Sequence, residues 1–133
     1  MDRTAYLNIA GKEYPMRFSL GASIAISKRY GSMTKMTEEL DGKDETKTFE
    51  ELAWITELLI KQGCAYKNLF EKGVPIPNNA PAEDGKYIPI TAEEIQVGLS
   101  IMDMGVLKEK IFATISGGKK TEVNTEEKNA VTT

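Results

Sequence analysis

The sequence contains no histidine. That removes the side chain most used for proton transfer near neutral pH and the commonest neutral metal ligand. Cysteine occurs once, at Cys64. A single thiol makes no disulfide or thiolate cluster within one chain, and with no histidine in the sequence it lacks the usual base that would activate it. Charge of one sign is scarce as well: 17 basic and 20 acidic residues leave a net charge of -3. Nothing in that balance points to nucleic acid or an anionic membrane as a partner. No stretch approaches the roughly 20 apolar residues of a membrane span. The opening MDRTAYLNIAG has no apolar run long enough for a signal peptide. No internal repeat is visible. These absences argue against an enzyme. They lead to the expectation of a cytoplasmic protein with no catalytic residue, no cofactor and no metal.

What is present suffices for one domain. The chain has 133 residues, 41% of them hydrophobic and 28% charged, enough to bury a core without cross-links. Residues 4–18 read as a β-hairpin turning at Ala10-Gly11, with Ile9 opposite Lys12, Leu7 opposite Tyr14 and Ala5 opposite Met16. That register gathers Ala5, Leu7, Ile9, Tyr14, Met16 and Phe18 on one face, and a slip of one residue would scramble them. Pro15 implies an edge position.

Helices follow. Ser19 caps a short one over 20–30, stopped by Gly31, with Leu20, Ile24 and Ser27 as its stripe, widened by Ile26 and Tyr30. Ser32 starts a second over 33–40, and 41–47 is a polar loop. The longest is expected over 48–72, where Thr48 and Glu51 have the spacing of a capping box. Its apolar stripe is Phe49, Leu52, Ile55, Leu59, Tyr66, Leu69 and Phe70, with Gly63 as a possible dent. Four prolines make 74–90 an extended connection pinned by Val74, Ile76, Tyr87 and Ile88. A last helix is expected over 91–115, with Thr91 and Glu94 as its capping box and Ile95, Leu99, Met102, Val106 and Phe112 facing inward. Residues 116–133 lack apolar periodicity and read as a flexible tail. The fold class is therefore α+β, mainly α: a hairpin packed on a small helical bundle over 1–115, then the tail.

No constellation carries chemistry. The acidic pairs Glu38-Glu39, Glu50-Glu51, Glu93-Glu94 and Glu126-Glu127 are chain neighbours, which on a helix point about 100° apart and do not converge. Asp41 to Glu45 lacks the alternating ligands of a calcium loop, and Gly117 to Lys120 lacks the full phosphate-loop pattern. A binding role needs an adaptable apolar surface instead. Met33, Met36, Met102 and Met104 are candidates for it, with Trp54 and Leu58 beside the stripe of the long helix. The same methionines are equally suited to filling a core.

The opening pattern L-N-I-A-G-K-E-Y-P-M-R-F-S-L-G-A, followed by I-S-K-R-Y-G-S, resembles the N-terminus of tail assembly chaperones from long-tailed phages and prophages of Gram-positive bacteria. There a hairpin leads into a helix ending in K-K-Y-G-S. The match runs through Leu7, Ile9, Gly11, Lys12, Glu13, Tyr14, Phe18, Tyr30 and Gly31; Ala10 departs from it, standing where the family often has Asn. The resemblance implies a protein of the bacterial host cytoplasm that binds the tape measure protein and recruits tail tube protein. The two-stranded hairpin, marginal alone, must pack on its own helices or on another subunit, which adds the expectation of a possible homo-oligomer. Many such genes also make a longer product by frameshifting, and Gly118-Lys119 and Lys119-Lys120 suit slippery codons. The alternative is a virion structural protein, a tail or head-tail connector subunit.

Overall fold

A computed structural model describes residues 3–123, with side chains to 117. The chain begins with an antiparallel hairpin, β1 (Ala5–Ile9) and β2 (Lys12–Met16). Its register is the expected one: Ala5 faces Met16, Leu7 faces Tyr14 and Ile9 faces Lys12. Ala10 and Gly11 turn the chain with φ of 52° and 85°. Positive φ at both central residues suits the right-handed twist of a two-residue hairpin, but alanine is strained there. Ala10→Asn is therefore expected to stabilise the protein by about 0.5–1 kcal/mol. Urea unfolding checks this, and a loss of stability would contradict the turn geometry.

The outer edge of β2 is not open. Glu13 N–H donates to Asn79 O at 2.9 Å and Arg17 N–H to Leu59 O at 3.1 Å. Pro15 lies between them on the same edge, where its missing N–H leaves no ladder bond unmade.

Five helices carry the rest. α1 (Leu20–Tyr30) is capped by Ser19 and closed by Gly31 at φ 93°, and α2 (Met33–Leu40) is capped by Ser32. The buried residues of α1 are Ala22 and Ile26, whereas Leu20 and Ile24 are exposed, so the expected stripe is rotated. The cause lies on the long helix over Glu45–Phe70: Ser19 Oγ bonds Gln62 Oε1, and Gly21 runs so close to Gln62 that a Cβ would meet Oε1 at 2.8 Å.

α3 (Glu45–Phe70) is the central helix. It starts three residues before the expected Thr48, because Asp44 caps it by accepting Lys47 N–H at 3.2 Å. Thr48 lies inside the first turns, and its Oγ1 is buried without a hydrogen-bond partner. Leu52, Ile55, Leu59, Ile60 and Cys64 fill the core, while Leu69 and Phe70 are exposed. A helix of this length spans about 39 Å, and five-residue strands reach only about 17 Å along it. Gly63 does not interrupt the helix: β2 crosses there.

The proline-rich connection holds a second hairpin, β3 (Ala82–Glu83) and β4 (Lys86–Tyr87), turning at Asp84 and Gly85 with φ of 51° and 79°. Asp-Gly is a strong hairpin signal, and it sets this turn within a stretch expected to be merely extended. Of the four expected pins only Tyr87 is buried; Ile90 and Ala80 replace the exposed Val74, Ile76 and Ile88. Asn68 fastens this hairpin to α3, accepting Tyr87 N–H at 2.9 Å and donating to Tyr87 O at 3.0 Å.

The single helix expected over 91–115 is two. α4 (Ala92–Gly98) ends at Leu99, a 3₁₀ turn covers Ile101–Asp103, and α5 spans Met104–Val123. α5 thus runs eight residues beyond the expected end at Ile115, into the segment read as tail; the remainder of that segment, 124–133, lies outside the described residues. Leu107, Ile111 and Ile115 bring α5 onto the core. No described helix is long and apolar enough to cross a membrane.

Candidate functional site

The break between α4 and α5 shapes an apolar concavity. Leu99 is extended (φ -114°, ψ 161°). Ser100 N–H then donates to Asp103 Oδ2 at 2.8 Å, starting the next turn. Gly98 sits against the hairpin, where a Cβ would lie 2.8 Å from Ile9 Cγ2. The change of direction opens a cleft of about 210 Å³ against the first half of α3. Phe49 and Ala53 line it from α3, Ile95 and Gln96 from α4, Leu99, Ser100 and Ile101 from the break, and Met104 and Leu107 from α5. Apart from Gln96 and Ser100 the lining is apolar.

Around the break, large apolar side chains lie open: Val97 is 88% exposed, Ile101 66%, Met102 87% and Val106 58%. Met102 and Val106 were expected to face inward. The break turns them out, because residues after Leu99 no longer continue the face set by Ile95.

The six residues expected to contact partners do not form one surface. Met104 lines the cleft and Met102 stands exposed beside it in the chain. Met36 lies in the core, 1% exposed, so it offers nothing to a partner; Met33, Trp54 and Leu58 are half-buried against that core. Phe49, Ala53 and Ile101 line the cleft without being among the residues expected to contact partners. The available signal was Gly98 followed by Ser100 and Asp103, a helix stop and a helix start within six residues.

A second cluster joins α1 to α3. Arg29 grips Glu51 with two hydrogen bonds of 3.0 Å, from Nε and from a terminal guanidinium nitrogen. Tyr30 Oη also donates to Glu51. The Arg29 guanidinium lies 4.3 Å from the centre of the Trp54 ring, and Tyr30 meets Trp54 edge to face at 6.0 Å. Glu51 is therefore not the capping partner of Thr48 but the anchor for the end of α1. The Arg29 hydrogen bonds hold its carboxyl below the usual value near 4.5, against the opposing effect of burial. Burial, then the Glu51 carboxylate, pushes the Tyr30 hydroxyl well above its ordinary value.

A depressed carboxyl pKa stabilises the fold at pH values above its unfolded value, and that contribution is lost as pH falls through the folded pKa. Arg29 is 39% exposed, so solvent screens the pair. Glu51→Gln should cost about 1 kcal/mol at pH 7. The difference from the unsubstituted protein should shrink below about pH 4. Thermal unfolding across pH 3–7 measures it, and a pH-independent difference would contradict the ion pair's role.

Among the described residues no three or more Cys, Asp or Glu side chains come together as metal ligands. Cys64 is buried and its thiol pushed up to about 12, so it is protonated at neutral pH and a poor nucleophile. Compared with protein-family models, curated proteins and solved structures, the chain matches none.

Proposed function

We propose that this protein is a tail assembly chaperone of a long-tailed phage, a binding protein that shields apolar helices of the tape measure protein and helps recruit tail tube protein. Two things support the reading. The first is the N-terminal signature. Its residues serve the fold: Gly11 makes the turn, Leu7 and Ile9 enter the core, and Tyr30 and Gly31 close α1. The function they imply is carried by resemblance alone.

The second is the observation on which the binding role stands. Four large apolar side chains lie open between Val97 and Val106, beside a cleft walled by apolar residues. Exposed apolar groups concentrated in one stretch of chain suit a protein that covers apolar segments of another chain. The test is co-expression with the tape measure protein that this reading implies in the same genome, followed by capture through a tag on this chain. The tape measure protein is expected to become soluble and to co-purify. An insoluble tape measure protein that is not captured would sink the reading. Stoichiometric presence of this chain in purified virions would favour a structural tail or connector subunit instead.

A further inference from the structure

We propose that the concavity between the end of α3 and the β3–β4 hairpin binds a small monocarboxylate carrying a short branched aliphatic group. The inference goes beyond the chaperone reading and does not depend on it.

The second hairpin folds over the last turn of α3. Asn68 holds it there, with both ends of its side-chain amide spent on the backbone of Tyr87. The space left between them is about 250 Å³, below the range of drug-sized pockets, so its occupant is small. Tyr87 lines this space and is only 8% exposed. Its hydroxyl has no hydrogen-bond partner among the described residues. Only Thr48 Oγ1 is both sealed from solvent and unpartnered there, so the Tyr87 hydroxyl keeps an opening, which the concavity provides. A buried hydroxyl without a partner is costly, and an acceptor entering the space removes that cost. Burial raises the hydroxyl above its ordinary pKa, so at neutral pH it is protonated and able to donate.

Lys67 is the second inner group, its side chain 10% exposed. It pairs with Glu71 at 2.9 Å. An ammonium has three N–H donors, and Glu71 takes one. At the rim, Lys72 and Lys86 are exposed and have no ion-pair partner among the described residues. With Lys67 and Glu71 offsetting each other, Lys72 and Lys86 stand against Asp84 alone, an excess of one positive charge in the lining. One surplus charge suits a monoanion, while two carboxylates in the lining repel a phosphate dianion. Val74 and Ile76 complete the wall, 53% and 37% exposed. An inorganic anion leaves them in water, whereas an aliphatic group beside the carboxylate covers them.

The test follows backbone amide shifts of the isotope-labelled full chain by NMR. Isovalerate is the probe and isovaleramide its uncharged counterpart. The amides of Asp84, Gly85, Lys86 and Tyr87 are expected to shift saturably, with the acid bound at least about tenfold more tightly than the amide. Tyr87→Phe keeps the ring, removes the hydroxyl and should weaken binding at least about fivefold. Lys86→Met, at an exposed position, should weaken it about threefold, with the difference shrinking in 0.5 M NaCl. Lys28→Met, in the last turn of α1 and outside the concavity, should leave binding within about twofold. Where Tyr87→Phe lowers the melting temperature, Lys86→Met against Lys28→Met reads the site by itself. The tripeptide Ala-Ala-Val, whose carboxylate ends a chain, separates the two sources of such a ligand. Tighter binding than isovalerate assigns the site to the C-terminus of a partner chain, and weaker binding to a free acid. No saturable shift with either acid, equal binding of acid and amide, or unchanged binding in both Tyr87→Phe and Lys86→Met overturns the proposal.

Discussion

Replacing Gly63 by alanine is expected to lower the melting temperature by about 10 °C, or to prevent folding. Helix propensity alone gives the opposite sign, since alanine is favoured over glycine inside a helix by about 1 kcal/mol. Packing decides the outcome. A Cβ at position 63 would lie 2.2 Å from Pro15 O, 2.5 Å from its carbonyl carbon and 2.8 Å from Met16 N. All three atoms belong to the backbone of β2, which cannot swing aside as a side chain can. The strand is also tied to α3 nearby, through Arg17 N–H and Leu59 O. Overpacking of this kind costs about 3 kcal/mol or more, and for a chain of this length each kcal/mol moves the melting temperature by about 3–4 °C. Gly105→Ala is the control. It lies in α5, its added Cβ meets nothing within 4 Å, and a gain of about 0.5–1 kcal/mol is expected. Circular dichroism melts of both variants check the pair. A stable Gly63→Ala protein would mean that β2 does not cross α3 at this point.

Ile111→Ala is expected to cost about 3 kcal/mol, within the 2–5 kcal/mol range for truncating a buried isoleucine. Ile111 is 0% exposed and is one of the residues by which α5 enters the core. The loss reaches the cleft too, because Met104 and Leu107 form one wall of it from the same helix. Met102→Ala, at a position 87% exposed, should change stability by no more than about 0.5 kcal/mol. Urea unfolding of the two variants separates a docked α5 from a loosely attached one. Similar losses at both positions would show that α5 is not held by this face.

The parts of the fold legible in the sequence are those set by neighbouring residues. The register of β1 and β2 follows from a two-residue turn and a period of two, both local. Ser19, Ser32 and Thr91 cap their helices as expected, because capping depends on a side chain reaching a backbone N–H three residues on. Two local signals were legible but overlooked: Asp84-Gly85, which turns the second hairpin, and Ser100 with Asp103, which restarts the chain after Gly98. Missing the second placed Met102 and Val106 inside and hid the cleft.

The remaining features depend on residues far apart in the chain. Thr48 and Glu51 have the spacing of a capping box, yet Asp44 caps α3 and Glu51 binds Arg29, 22 residues earlier. Local spacing offered two starts for that helix, and the partner on α1 decided between the roles of Glu51. The rotation of α1 was settled by Gln62, and the role of Gly63 by the strand that crosses it. Composition by itself determined a chain with one thiol and no imidazole, and local patterning determined a hairpin followed by helices. Only the tertiary structure decided which methionines are core and which are surface, since Met36 and Met102 are chemically identical. Burial depends on what packs against a residue, and that is set by the meeting of α3, α4 and α5.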